Sequence, residues 1–185
     1  MLRDEDSSVR WNAREALGKI GEKAAKNEVI DYLLSALRDE RSFVRESACY
    51  ALGIIGEKSI TNEIISYLVS ALTHEDVSVR RRACDTLRII GEKAATNEVI
   101  GCLLNALKDK DSSVRQSACY AFGKIGEKAA TNNVIGCLVN ALKDEDSSVR
   151  ERACEALGNI GEKATTNEVV GCLMTMLRDE DSSVR

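Results

Sequence analysis

The chain has 185 residues, of which 44% are hydrophobic and 30% charged, a composition typical of globular proteins and not of disordered tails. Its 26 Lys and Arg residues against 30 Asp and Glu residues give a net charge of −4, which argues against a nucleic-acid or membrane-surface partner. No apolar run approaches the roughly 18 residues of a membrane span, the N-terminus lacks a signal-peptide core, and the absence of proline with 4% aromatics argues against a many-stranded β fold.

The first predicted element is a helix from about Ser7 to Ile20. Apolar residues fall at Val9, Ala13 and Ala16 and continue to Ile20, the spacing of one face of an α-helix. Asp6 and Ser7 are candidate N-caps, and acidic residues stand at the first turn. Gly21 follows the last periodic residue, where a left-handed glycine commonly ends a helix.

A second helix is predicted from about Asn27 to Arg38. Val29, Ile30, Leu33, Leu34 and Leu37 again form one helical face. The favourable helix propensity of the preceding Lys-Ala-Ala segment allows a start one turn earlier. In later copies of this segment, a Thr-Asn pair stands just before the helix and can cap its first turn. Each stretch of about 35 residues therefore predicts a helical hairpin.

This hairpin recurs along the whole chain with a constant period of 35 residues. The pair Val-Arg stands in one phase at Val9, Val44, Val79, Val114, Val149 and Val184. Gly-Glu-Lys recurs in its own phase, beginning at Gly21, Gly56, Gly91, Gly126 and Gly161. The period predicts five stacked hairpins at about residues 6–40, 41–75, 76–110, 111–145 and 146–180, with 181–185 as the start of a missing sixth unit. We expect one all-α domain over residues 1–185, a right-handed α-solenoid.

The repeated residues resemble a known family. Each unit carries Asp…Val-Arg at the start of the first helix, Ala-Leu-Gly-x-Ile-Gly or a close variant at its end, and Leu-x-x-Ala-Leu or a variant in the second helix. This pattern is similar to the HEAT-like repeats of the phycobilisome-lyase type, over the whole chain. The resemblance implies the solenoid fold. It says little about function, because such repeats serve many roles.

A ladder of arginines stands in the first helices, at Arg10, Arg45, Arg80, Arg115 and Arg150. One interpretation is an anion-binding stripe. The favoured one, which the resemblance implies, is a structural bond between units to a loop carboxylate such as Asp6, Asp76, Asp111 or Asp146. Arg41 stands where the other units have Asp, so the bond of the second unit is in question. The single histidine, His74, replaces a loop Asp and is expected to be a surface substitution.

Partner-binding candidates come from positions that vary between units. Tyr50, Ile54 and Ile89 are a candidate exposed apolar patch, with packing against neighbouring helices as the equal alternative. Arg81 and Arg88 give one locally basic helix, either a docking spot for an acidic partner or a solvated face. On the second helices a polar, uncharged stripe outside the core includes Ser70, Asn105 and Asn140.

No catalytic or metal constellation accompanies these residues. The seven cysteines lack Cys-x-x-Cys spacing and partner histidines, so we expect free thiols in a reducing, cytoplasmic setting, with no cofactor. The leading hypothesis is a non-enzymatic scaffold or adaptor that binds a protein partner. The alternatives are an accessory subunit of a bilin lyase, which the repeat type evokes, and a segment of a longer array or consensus-like chain without a function of its own.

The two ends of the chain predict self-association. Residues 2–10 and 177–185 have the same sequence, so the chain starts and stops at the same phase of the repeat. Neither end carries a dedicated polar cap, which solenoids usually need for solubility. Trp11 at one end and Met174 and Met176 at the other stand where a further repeat would pack. We therefore expect end-to-end stacking of copies.

Overall fold

The protein is described by a computed structural model, which covers residues 4–6, 8, 9, 11–13, 16, 27–58 and 60–177. These residues form α-helices and 3-10 turns joined by short loops, and none of them lies in a β-strand. The all-α class and the recurring hairpin predicted from the sequence are confirmed. By their internal contacts the residues fall into two compact units, Met1–Ala94 and Ala95–Arg185.

The first unit contains four complete helices. Helix α1 spans Asn27–Ala36, α2 spans Ser42–Lys58, α3 spans Asn62–Leu72 and α4 spans Val77–Ile90, followed by a 3-10 turn at Gly91–Ala94. Residues 8, 9, 11–13 and 16 are also helical. The rest of the predicted helix from Ser7 to Ile20 lies outside the described residues.

The second unit repeats the same alternation. Helix α5 spans Asn97–Ala106, α6 spans Ser112–Ile125, α7 spans Asn132–Ala141, α8 spans Ser147–Ile160 and α9 spans Asn167–Met176. The 3-10 turns Gly126–Ala129 and Gly161–Ala164 follow α6 and α8. When the predicted first helix is shifted by whole periods of 35 residues, its ends coincide with those of α6 and α8. The Lys-Ala segment forms the 3-10 turn and not an early start of the second helix.

Side-chain caps start the helices at one repeated position in each class. Before the first helices, the carboxylates of Asp76, Asp111 and Asp146 accept a backbone N–H two residues on. Before the second helices, the hydroxyls of Thr61, Thr96, Thr131 and Thr166 accept the N–H three residues on. Each cap satisfies a backbone donor that the helix leaves unpaired, an effect of about 1 kcal/mol. Both predicted capping positions are confirmed.

The glycine corners differ in part from the prediction. Gly91, Gly126 and Gly161 have φ of 62°, 64° and 72°, a backbone region that side chains rarely adopt. Their ψ values near −140° are not those of a left-handed helical glycine, and each begins a 3-10 turn. Gly56 departs further, because α2 continues through it to Lys58. The prediction that Gly56 ends its helix is therefore wrong.

The core lies between the first helices and the second helices of preceding repeats. In the first unit α4 packs against α2 and α3, and in the second unit α8 packs against α6 and α7. The predicted leucine ladders are buried at Leu33, Leu68, Leu103 and Leu138 and at Leu37, Leu72, Leu107 and Leu142. Burying each leucine contributes about 1.5–3 kcal/mol. In α9 the ladders emerge from the core, since Leu173 is half-buried and Leu177 is exposed.

Close helix approach explains two of the helix glycines. A Cβ on Gly53 would lie 2.7 Å from Ile89 Cβ, and one on Gly123 would lie 3.2 Å from Ala156 Cα. At Gly158, the same phase in α8, a Cβ would meet nothing within 4 Å. Close helix approach therefore accounts for Gly53 and Gly123 but not for Gly158, against which no other described helix packs. Gly18 lies outside the described residues.

Candidate functional site

A stripe of small and polar residues runs over the exposed side of the second helices in the second unit. Its members are Gly101 and Asn105 on α5, Gly136 and Asn140 on α7, and Gly171 and Thr175 on α9, all exposed. They are four residues apart in each helix, so they share a face, and the buried ladder residues occupy the opposite side. The helical periodicity that builds the core therefore also aligns this stripe, which we call the polar stripe.

Two amides of the polar stripe are available to a ligand. No hydrogen bond joins the side chain of Asn105 or Asn140 to another described residue, and both side chains are exposed. One helical turn before each, a Cβ added to Gly101 or Gly136 would meet nothing within 4 Å. The backbone of the helix is thus uncovered beside each amide. An asparagine amide offers two donors and one acceptor, the groups that pair with a peptide backbone.

Thiols border the polar stripe. Cys102, Cys137 and Cys172 follow the stripe glycines and are half-buried free thiols. Partial burial and the charge of Glu98 raise the pKa of the Cys102 thiol. The neutral thiol is a poor nucleophile, so Cys102 adds a weakly polar surface beside the stripe.

Charged residues flank the stripe on both sides. Glu98 and Glu168 are exposed in the first turns of α5 and α9, and Lys108 and Lys143 are exposed just after α5 and α7. The carboxylates lie near the positive ends of their helices, where the helix dipole favours them. A ligand on the stripe therefore meets negative charge on one flank and positive charge on the other.

The first unit carries the same row with a different composition. Ser70 is exposed on α3, in the repeat position of Asn105, and its carbonyl accepts hydrogen bonds from Thr73. Tyr67 is half-buried beside it, with the Arg38 guanidinium 5.5 Å from its ring centroid. That contact and burial give Tyr67 a fixed position. In this unit the hydroxyl of Ser70 takes the position of the Asn105 amide, and the half-buried ring of Tyr67 lies beside it.

The predicted apolar patch is only partly available. Tyr50 is 44% exposed, whereas Ile54 and Ile89 are half-buried. Ile89 lies against Gly53 of the preceding first helix, close enough that any Cβ there would overlap it. The alternative of packing between neighbouring helices therefore describes Ile89. Tyr50 remains as an exposed aromatic ring.

The locally basic helix already forms ion pairs within the protein. Arg81 and Arg88 are half-buried on α4. Between them, Arg82 lies 3.4 Å from the Asp85 carboxylate and 3.9 Å from Glu46. Carboxylates of this protein thus already contact the helix that was expected to attract an acidic partner.

The arginine ladder fastens loops to helices. In four repeats, one terminal nitrogen of the arginine donates to two successive carbonyls of the loop before its own helix. The pairs are Arg45 with Asp39 and Glu40, Arg80 with His74 and Glu75, Arg115 with Asp109 and Lys110, and Arg150 with Asp144 and Glu145. Arg45 makes these bonds despite the neighbouring Arg41. Arg10 lies outside the described residues.

A carboxylate of the next loop joins this arrangement in the second unit. Arg115 donates from Nε and Nη2 to the two carboxylate oxygens of Asp144, both at 2.8 Å. The sequence assigned this role to Asp111 or Asp146, but those side chains cap helices. Asp144 stands two residues before Asp146, in the loop after α7, where it faces the Arg115 guanidinium. Spacing alone could not choose between two aspartates so close together.

His74 occupies the repeat position of Asp144. Its Nδ1 accepts the N–H of Asp76 at 3.0 Å, just as Asp144 Oδ1 accepts the N–H of Asp146 at 3.0 Å. The imidazole thus reproduces the loop bond of the aspartate. It offers no carboxylate to an arginine, so His74 keeps the loop bond of this repeat position without its carboxylate.

Comparison with known proteins follows from this geometry. HEAT repeats match the sequence over residues 1–63, 65–139 and 103–185, and the chain therefore belongs to the HEAT repeat family. The family fits the stacked helical hairpins and the fold class of the α-solenoids. The match is to HEAT repeats in general and does not extend to the phycobilisome-lyase type. Curated proteins gave no significant match.

Solved structures of the same fold include engineered proteins. One engineered protein is 26% identical with a TM-score of 0.67, covering 99% of this chain and 88% of that one. Another is 29% identical with a TM-score of 0.60, covering 99% and 90%. A designed armadillo repeat protein in complex with the peptide (KR)4 is 20% identical with a TM-score of 0.67, covering 99% and 91%. Within the described part of this chain, no helix is both long and apolar enough to cross a membrane.

Proposed function

We propose that the chain is a non-catalytic scaffold that binds a protein partner by an extended segment laid across the polar stripe. The observation that carries the proposal is the pair Asn105 and Asn140, which stand exposed in one repeat phase with no hydrogen bond to another described residue. Packed helices lie about 8–10 Å apart, close to the length of three residues of extended chain at about 3.3 Å each. One amide in each repeat can therefore meet every third residue of such a segment.

Two further features support this mode of binding. Gly101 and Gly136 leave the helix surface open beside the amides, so a peptide backbone can approach closely. The designed armadillo repeat protein of similar fold was solved with a peptide bound. The seven free thiols fit a protein of the cytoplasm, a reducing compartment, and we propose that location.

The test is selection of binding peptides followed by site-specific variants. The immobilised chain is challenged with a display library of random linear peptides, and the Kd of each selected peptide is measured. The double variant Asn105→Ala with Asn140→Ala is expected to weaken binding by about tenfold or more, since each lost hydrogen bond contributes about 1 kcal/mol. Glu162→Ala, an exposed change in the 3-10 turn Gly161–Ala164, serves as the matched control and should leave Kd unchanged.

Two results would contradict the proposal. Peptides that lose affinity on Tyr50→Ala but not in the asparagine variant would locate binding on the first helices. A library that yields no binder would favour the alternative of an array segment without a function of its own.

Within the described residues, no observation favours the bilin-lyase alternative. A tetrapyrrole needs an enclosed apolar pocket. The depression beside α1 is lined by Ser35, Arg38, Asp39, Glu40 and Arg41, which are polar or charged. Its Asp39 carboxylate already pairs with Arg41 at 3.1 Å.

A further inference from the structure

The last helix exposes an apolar row that is buried in the preceding repeat. On α9 and just after it, Val170 is 44% exposed, Met174 63% and Leu177 65%. The residues in the same repeat positions on and after α7 are Ile135, Val139 and Leu142, which are exposed by 7% or less. The same face of the same helical element is thus part of the core in one repeat and open to solvent in the next. We call Val170, Met174 and Leu177 the tail face.

The structure shows what covers such a face. Helix α7 is covered by α8, the first helix of the following repeat. Helix α8 buries Val149, Ala153 and Ala156 completely, and its Ala156 lies against Gly123 of α6. The partner that fits the tail face is therefore a first helix of the same kind, which packs on the preceding first and second helices together.

Near the beginning of the chain, residues 8, 9, 11–13 and 16 are helical and lie in the repeat positions of such a first helix. Residues 7–20 and 147–160 have the same sequence except at Trp11, Asn12, Arg14 and Lys19. Val9, the equivalent of the buried Val149, is 37% exposed, and Ala16, the equivalent of the buried Ala156, is also exposed. Val9 and Ala16, like the row on α9, are thus open to solvent in the described structure. We call Val9 and Ala16 the head face.

We infer that the head face of one copy of this chain binds the tail face of another, with the first helix taking the place on α9 that α8 takes on α7. The contact is heterologous, so a bound pair still has one head face and one tail face unused. Association therefore continues by addition of further copies. The inference is independent of the polar stripe, which lies on a different side of the second helices.

The first measurement is the mass of the full chain in solution. Sedimentation equilibrium across about a hundredfold range of concentration should show an average mass that rises steadily beyond the dimer, as mass action requires for open-ended association. A mass that stays at the monomer throughout the range would overturn the inference.

The second measurement uses one variant for each face. Val9→Glu places a carboxylate on the head face and Met174→Glu places one on the tail face. Both positions are exposed in the chain, so each variant should keep the helical circular dichroism of the parent. Each variant alone should remain monomeric. Tyr50→Glu, at an exposed aromatic outside both faces, is the control and should associate like the parent.

Mixing the two variants gives the decisive result. Val9→Glu keeps an intact tail face and Met174→Glu keeps an intact head face, so an equal mixture can form a single contact of the inferred kind. The mixture should therefore form a dimer that does not grow. A monomeric mixture would overturn the inference. So would association of Val9→Glu alone, since that requires two tail faces to bind each other.

Discussion

Arg115 on α6 and Asp144 in the loop that leads into the next repeat are joined by a pair of 2.8 Å hydrogen bonds between the guanidinium and the carboxylate. Both side chains are nearly buried, at 10% and 13% exposed. The same guanidinium donates to the carbonyls of Asp109 and Lys110, so it connects its own loop to the next one. Such a fork fixes geometry as well as charge, because two parallel bonds define an orientation.

Removing this arginine should destabilise the fold. Arg115→Ala leaves the Asp144 carboxylate unpaired and two loop carbonyls without their donor, so we expect a loss of about 2–4 kcal/mol in a urea titration. Lys163→Ala is the control, because Lys163 and Glu127 also form an ion pair at 3.0 Å between repeats but are well exposed. That variant should lose less than about 1 kcal/mol. Equal losses would mean that burial does not distinguish the two pairs.

The Asp144 pair also predicts a pH dependence. Burial opposes ionisation of Asp144, but hydrogen bonds from Arg115 and from the N–H of Asp146 outweigh it and lower the pKa of the carboxyl from its ordinary 3.8. The folded pKa lies below the unfolded one, so this stabilisation is complete above about pH 4 and disappears as the pH falls through the folded pKa. Asp144→Asn should therefore cost stability at pH 7 and progressively less below pH 4. A difference that stayed constant with pH would contradict this origin.

His74 offers a gain of stability. His74→Asp restores the carboxylate found at Asp144, which has the same repeat position. Arg45 in turn has the repeat position of Arg115, two repeats before it. The variant should stabilise the chain by about 0.5–2 kcal/mol, through a new charge-assisted bond to Arg45. The gain should disappear in the Arg45→Ala background, which a double-mutant cycle measures. Thr73→Asp, an exposed neighbour, should change stability by no more than about 0.5 kcal/mol.

Two glycines in one repeat phase should respond oppositely to alanine. At Gly158 a Cβ meets open space, so Gly158→Ala should stabilise α8 by about 0.5–1 kcal/mol through helix propensity. At Gly123 a Cβ would press on the backbone of Ala156 at 3.2 Å, and Gly123→Ala should destabilise the chain. Thermal unfolding of the two variants compares them directly. Stabilisation by both would mean that α6 and α8 have room to separate.

The cysteines should differ in reactivity in the native chain. Burial raises the pKa of Cys49 and of Cys119 to about 12, so almost no thiolate forms at pH 8. Cys137 and Cys172 are half-buried on the second helices and should react first with an alkylating reagent. Mass spectrometry of peptides from a time course gives each rate. Rapid modification of Cys49 or Cys119 without unfolding would show that their helices open locally.

Much of the fold follows from the sequence because the signals repeat. The apolar phases place the helices, Thr61 and its equivalents cap the second helices, and Asp76 and its equivalents cap the first. The failures occur where tertiary contact overrides a local signal. Gly56 stays helical although it carries the stop signal, and a Cβ there would lie 2.9 Å from Ile90 of the next first helix. A glycine pattern cannot report that neighbour.

The candidate site was less accessible to sequence reasoning. Periodicity locates the exposed phase of Asn105 and Asn140, because the core phases of the same helices are unmistakable. It does not show that Ile89 packs on Gly53, because a residue that varies between repeats can be either exposed or packed against a neighbouring helix. It also gives no warning that Val9 and Leu177 are exposed, because the pattern of their repeats is that of buried residues. Exposure at these positions depends on which neighbours exist.

The loop bonds of the arginine ladder have a consequence for the number of repeats. Suppose that the segment 111–145 were deleted as one period: Lys110 would then precede Asp146, and Arg150 would find the carbonyls of Asp109 and Lys110 where Arg115 finds them now. Every helix would keep its phase, its cap and its kind of neighbour. Removal or addition of whole 35-residue periods can thus shorten or lengthen the array without creating a new kind of junction. The number of repeats is free to change while the local structure of each one is preserved.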